Sequence, residues 1–207
     1  MAMTRRELRT LRTEPGADVS PSEVTPPHAT VLVVCTGNLV RSPFLAHLFA
    51  SLGLDDMSFV SAGVRAVDGM PASTRVQELA REYGLDLSEH RARRLDEYSV
   101  AGASTVVCAA REHKKDVLRI DPTNLHRVFT LREISRAAEE LGDLDPATSP
   151  VARWDALVEH AAAHRRSADD DDIPDPYRLG DRDWWEFEKA ALGAALPVLR
   201  QLVGAES

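Results

Sequence analysis

Apolar positions along this chain change their period repeatedly, and each change predicts an element. Ala29 to Val34 is an unbroken apolar and β-branched run, too short for a buried helix, and predicts a central parallel strand. The period then lengthens. Leu45, Leu48, Phe49 and Leu52 share one helical face, which Gly53 ends. Phe59-Val60 predicts a short strand, and Val76, Leu79, Ala80 and Tyr83 mark a helix face closed by Gly84. Thr105 to Cys108 and Val128-Phe129 predict two more strands, and Thr130-Leu-Arg-Glu133 has the form of a capping box for the helix that follows. Trp184, Phe187, Ala191, Ala195 and Val198 line a long last helix in which Pro197 is expected to introduce a kink. Trp185 reads as a core anchor, while Tyr177 could sit in the core or at a rim. The alternation predicts a three-layer α/β fold: a four- or five-stranded parallel sheet flanked by helices, with a phosphate-binding loop after the first strand.

Residues 1–28 are polar and proline-bearing and read as a flexible N-terminal extension, in which Glu7 to Arg12 could form a turn of helix. Residues 29–207 form the main domain, with a partly loose insertion around 140–172 marked by Pro146, Pro150 and the run Asp169 to Asp172. That run reads as a solvated face, or as a contact for a basic partner such as a kinase tail. With 25 Lys and Arg against 33 Asp and Glu, the net charge of −8 disfavours nonspecific binding to nucleic acid or an anionic membrane. No apolar run reaches spanning length, no signal-peptide core precedes Pro27, and two cysteines suit a reducing compartment, so a cytoplasmic location is expected.

Candidate chemistry lies where the first run breaks, in Cys35-Thr36-Gly37-Asn38-Leu39-Val40-Arg41-Ser42-Pro43. Gly37 and Asn38 tolerate unusual backbone angles. Ser42 reads as an N-cap and Pro43 as a first helical residue, so backbone N–H groups and a helix dipole should converge on the concave side of the loop. Such a nest binds a phosphoryl dianion. Cys35 at its mouth should be favoured as thiolate by the helix terminus, Arg41 and the Ser42 hydroxyl, and could attack phosphorus. Arg41 could fork onto two phosphoryl oxygens. Phosphoryl transfer from an ester also needs an acid for the leaving oxygen and a base for water. Asp175, in Ile173-Pro-Asp-Pro-Tyr177, is the candidate; the same Asp-Pro pair also reads as a plain loop breaker.

These motifs, with Ser61-Ala-Gly63 and Gly84-Leu-Asp-Leu-Ser-Glu-His90-Arg-Ala-Arg93, resemble the low-molecular-weight protein tyrosine phosphatases from about Ala29 to the end of the chain. The resemblance implies Cys35 as nucleophile, Arg41 as phosphate clamp and Asp175 as general acid and then base. It implies that Ser42 lowers the thiol pKa, and that Asn38, Ser61 and His90 brace the loop, whose Thr36, Gly37, Leu39 and Val40 line the phosphate. Without it, His90 would be an ordinary surface histidine. It implies hydrolysis of phosphotyrosine in a protein substrate, with no metal or other cofactor.

The chain also departs from that pattern. Val40 stands where many members carry a second cysteine, and Cys108 reads as a buried core thiol, so oxidised Cys35 has no resolving partner. Tyr177 is followed by Arg178 rather than a second aromatic, giving a mixed substrate rim. Ala66 and Val67 stand where some relatives have tryptophan, which resembles the bacterial branch associated with capsule or exopolysaccharide tyrosine kinases and suggests a bacterial tyrosine kinase as partner. Leu39 favours phosphotyrosine over phosphoarginine, whose hydrolases tend to carry threonine there. Pro43 and the shortage of cysteines weigh against an arsenate reductase. A phosphotyrosine-binding regulatory module with little turnover is the rival of another class, and the intact Cys35, Arg41 and Asp175 disfavour it.

Overall fold

The computed structural model describes residues 29–145 and 147–204; the expected N-terminal extension, its Glu7 to Arg12 turn, and Pro146 fall outside them. The apolar run forms β1 (Ala29–Cys35), followed by α1 (Arg41–Ala50), β2 (Met57–Gly63), α2 (Thr74–Glu82), α3 (Glu97–Ala101), β3 (Thr105–Cys108) and α4 (Arg111–Ile120). A 3₁₀ turn over Pro122–Arg127 leads to β4 (Val128–Thr130), α5 (Leu131–Leu141), α6 (Pro150–Ala163) and α7 (Asp181–Val203). The four strands pair in parallel in the order β2-β1-β3-β4.

Strand β1 reads as a continuous apolar run because both of its faces are covered. Val31, Val33 and Cys35 join a large cluster with residues of α1, α5, α6 and α7, while Leu32 and Val34 join a smaller one with Val106, Cys108 and Val117. Side chains alternate across a strand, so one run feeds two layers. The Thr130 box forms as expected: Glu133 N–H donates to Thr130 Oγ1 (3.2 Å), and Thr130 N–H donates to Glu133 Oε2 (2.6 Å). Helix α7 continues through Pro197 to Val203.

Three expectations need correction. Trp185 is 58% exposed, with the Lys189 ammonium 5.1 Å from its ring centroid. Neighbouring residues point about 100° apart on a helix, and Trp184 with Phe187 takes the inward face.

The stretch expected to be loose contains α6, which packs on α5 and α7. Ser149 caps it, with Ala152 N–H donating to Ser149 Oγ (3.3 Å), and Pro150 occupies its first turn. Trp154 is fully buried, donates its indole N–H to Thr105 Oγ1 (3.1 Å) and meets Phe59 edge to face. Trp154→Ala should therefore destabilise the domain by about 3–5 kcal/mol in denaturant unfolding; a loss under about 1 kcal/mol would make α6 a dispensable attachment.

The acidic run is only partly a solvated face: Asp169, Asp170 and Asp172 are exposed and Asp171 is buried, and the chain supplies its own basic partners. Asp172 caps α4, accepting from Arg111 N–H (2.7 Å) and pairing with its guanidinium; Asp171, 1% exposed, pairs with Arg136 (2.6 Å); Asp170 faces Arg132 (3.6 Å). These contacts pin residues 170–172 beside α4 and α5.

Candidate active site

Strand β1 delivers Cys35 to the carboxyl edge of the sheet, and the chain turns through residues 36–40 into α1. Asn38 makes the turn with φ of 55°, a left-handed conformation that asparagine tolerates better than most residues. Gly37, also expected to take unusual angles, stays at negative φ. Gly63 lets β2 approach the turn: a Cβ there would lie 2.7 Å from both Asn38 N and Thr36 O. The backbone beyond β2 then ties the turn down, with Val64 N–H donating to Cys35 O (2.9 Å) and Arg65 N–H to Thr36 O (2.8 Å).

Ser42 is not the N-cap. Helix α1 begins at Arg41, Val40 stands at the cap position, and no side chain caps the start. The first N–H groups of a helix lack intrahelical acceptors, so this end keeps donors and positive dipole for an anion. The Ser42 hydroxyl is turned elsewhere, 3.0 Å from Cys35 Sγ and 3.2 Å from Ala62 O. It accepts from Asn38 Nδ2 (2.9 Å), which leaves its single proton for either neighbour. Asn38 N–H also points at the sulfur (3.3 Å).

Asn38 is fully buried and uses its whole side chain. Nδ2 donates to Ser42 Oγ and Ser61 Oγ, both at 2.9 Å, and Oδ1 accepts from Arg93 N–H (2.9 Å). Its carbonyl lies 2.9 Å from His90 Nε2. A carbonyl can only accept, so His90 carries a proton on Nε2. Burial holds the His90 pKa below its ordinary value, the bond to Asn38 partly opposing that shift. Asn38, Ser42, Ser61 and His90 thus meet in one network. Leu39 is half-buried against the core, and its carbonyl accepts from Ser73 N–H (3.0 Å).

Arg41 is 5% exposed. Its Nη2 donates to Thr36 Oγ1 (2.9 Å) and to Asp175 Oδ2, and Nη1 reaches Ile173 O (3.4 Å). Its Nε is buried without a partner, and an unpaired donor at an uncapped helix start marks where an anion fits. Asp175 arrives on a tethered loop: Ile173 is buried, its N–H donates to Ala109 O (2.8 Å), and Tyr177 N–H closes a turn on Asp175 Oδ1 (3.2 Å). Tyr177 is about a third exposed at the loop edge, with the Arg178 guanidinium 5.2 Å from its ring centroid. Cys108, the other cysteine, is fully buried, and burial drives its thiol pKa far up.

His113 joins the site with no sequence motif to mark it. It is 2% exposed on α4, with Nε2 3.0 Å from Thr36 Oγ1. Burial and the nearby Arg41 charge push its pKa down to about 4. A single histidine in the polar stretch Arg-Glu-His-Lys-Lys carries no signal of such a contact.

A family model described as low molecular weight phosphotyrosine protein phosphatase matches residues 30–160. A probable low molecular weight protein-tyrosine-phosphatase, EpsP, of Ralstonia nicotianae is 32% identical over 130 residues, covering 63% of this chain and 86% of that protein. A protein-arginine-phosphatase of Geobacillus stearothermophilus is 31% identical over 122 residues, covering 58% and 80%. Among solved structures, the tyrosine phosphatase Wzb from Escherichia coli K30, in complex with sulphate, superposes with a TM-score of 0.59 at 21% identity, covering 84% of this chain and 96% of that one.

Proposed function

Because the chain belongs to the low molecular weight phosphotyrosine protein phosphatase family, we propose that it hydrolyses phosphotyrosine in proteins through a cysteinyl-phosphate intermediate. The observation that carries this reading is the convergence on one small volume of the Cys35 sulfur, the uncapped start of α1, the unpaired Nε of Arg41 and the Asp175 carboxyl.

The phosphoryl dianion enters the cradle and takes Arg41 from Asp175, so that the guanidinium forks onto two oxygens. Cys35 Sγ attacks phosphorus in line. As the S–P bond forms, the P–O bond to the tyrosine breaks and Asp175 passes its proton to the departing oxygen. The carboxylate then takes a proton from water, the water oxygen attacks phosphorus, the S–P bond breaks and inorganic phosphate leaves. Thr36, Gly37, Asn38, Leu39, Val40 and Ser42 line or shape the cradle, Ser61 and His90 brace it, and Tyr177 with Arg178 receives the tyrosine ring and its flanks.

A phosphoarginine reading has one observation in its favour, the 31% identity to a protein-arginine-phosphatase. Leu39 opposes it: an aliphatic side chain at the cradle wall gives a guanidinium no hydrogen-bond partner, whereas an aryl ester needs none there.

We assign residues 29–207 to one catalytic domain in which 140–172 is an added segment. No helix of the described residues is long and apolar enough to cross a membrane. A thiol nucleophile without a resolving partner suits the reducing cytoplasm, and a bacterial tyrosine kinase is the partner we propose.

The deciding experiment is steady-state hydrolysis, with a chelator present, of a phosphotyrosine peptide beside phosphoserine and phosphoarginine peptides. Phosphotyrosine should be preferred over each by at least about 100-fold in kcat/KM, the discrimination available when a pocket built for one leaving group meets another. Preference for phosphoarginine would overturn the Leu39 argument, and turnover of none would remove the phosphatase assignment.

A further inference from the structure

A second chain of contacts leaves the cradle from the same Arg41 nitrogen that holds Asp175. Arg41 Nη2 donates to Thr36 Oγ1, and the same oxygen lies 3.0 Å from His113 Nε2. A hydroxyl has one proton and two lone pairs. With one lone pair taken by Arg41, the oxygen either donates to His113 or accepts from it, and both arrangements fix it between the two groups.

His113 is an odd choice for a core position. Its Nδ1 is buried with no partner, an omission that a leucine or phenylalanine would not incur. The imidazole is also kept neutral near pH 7, since burial and Arg41 push its pKa down to about 4, so it acts on Thr36 as a dipole and brings no second cation to the cradle. Asp172, which caps the helix carrying His113, belongs to the pinned acidic run that leads to Asp175.

We propose that His113 is a positioning residue of the phosphatase: through Thr36 it sets the plane of the Arg41 guanidinium, so that Nε and Nη2 face the phosphoryl oxygens before substrate arrives. The inference rests on the role proposed above for Arg41. Preorganised donors act mainly where charge develops in the transition state, so kcat should carry the effect more than KM.

The test compares His113→Leu, His113→Gln, Thr36→Val and the double variant His113→Leu/Thr36→Val on the phosphotyrosine peptide, each with its melting temperature. Loss of one orienting hydrogen bond predicts a kcat about 10- to 30-fold lower for His113→Leu and for Thr36→Val, with KM changed less than about threefold. His113→Gln, whose amide can reach Thr36, should recover to within about threefold of the wild type. The double variant should be no slower than the slower single variant, since both break one chain.

Losses that multiply, a glutamine no better than leucine, or full kcat in His113→Leu would overturn the proposal. Should His113→Leu fail to fold, His113→Phe takes its place, alone and combined with Thr36→Val, in the same comparison. One readout needs no turnover: the NMR signal of Arg41 Nε–H in Cys35→Ser saturated with inorganic phosphate. If His113→Gln keeps that signal and Thr36→Val broadens it, the positioning chain stands even for a protein inactive on phosphotyrosine; an identical signal in both overturns it.

Discussion

Cys35→Ser should abolish phosphotyrosine turnover, lowering kcat by at least about 10⁴-fold, or about 5.4 kcal/mol of barrier at 1.36 kcal/mol per decade. The serine hydroxyl is the weaker nucleophile, and a seryl phosphate is the harder ester to hydrolyse. Ligand binding should survive. The Asn38 N–H and the Ser42 hydroxyl that face the sulfur would face the new oxygen, and Arg41 and the uncapped start of α1 are untouched. Calorimetric titration with inorganic phosphate should thus give an affinity within about tenfold of the wild type, because these donors rather than the sulfur supply most of the binding. Turnover surviving within about tenfold would exclude covalent catalysis by Cys35.

Asp175→Asn should separate substrates by their leaving groups. Expelling the tyrosine oxygen without a proton costs the general-acid contribution, about 10²- to 10⁴-fold in kcat. An activated aryl ester such as nitrophenyl phosphate, whose phenolate leaves unaided, should lose far less. Asparagine keeps an oxygen for the Tyr177 N–H, so the loop turn is preserved. The variant also removes the carboxylate that Arg41 grips in the resting site, so KM for phosphotyrosine should fall alongside kcat. Steady-state kinetics on the two esters decides the matter, and equal losses on both would take Asp175 out of its role.

Much of the fold could be read from short stretches because the information was local. The run Ala29 to Val34 announced an interior strand, and the Cys35 to Pro43 sequence announced the turn after it. Local likeness also misled. A serine before a proline looks like a cap whether its hydroxyl turns to a helix N–H or, as here, to the neighbouring sulfur. Trp184 and Trp185 are alike in composition, but only Trp184 shares the helical spacing of Phe187 and Ala191 that faces the core. The apolar spacing of Val151, Trp154, Leu157, Val158 and Ala161 has the helical period that α6 realises, although Pro146, Pro150 and an acidic run stand around it. What sequence could not supply were pairings across long separations. Asp172 finds Arg111 61 residues away, and His113 meets Thr36 across 77.

The anchoring of the loop before Asp175 bears on how this chain can change length. Ile173 is fixed by its hydrogen bond to Ala109 and by burial, and Asp175 follows only two residues later. An extended residue adds about 3.5 Å, so one residue gained or lost between these points would carry the carboxylate out of hydrogen-bonding range of Arg41. The linker between α5 and α6 has no such constraint from the cradle. Insertions and deletions should therefore accumulate before α6, while the spacing from residue 173 to 175 acts as a ruler for the acid.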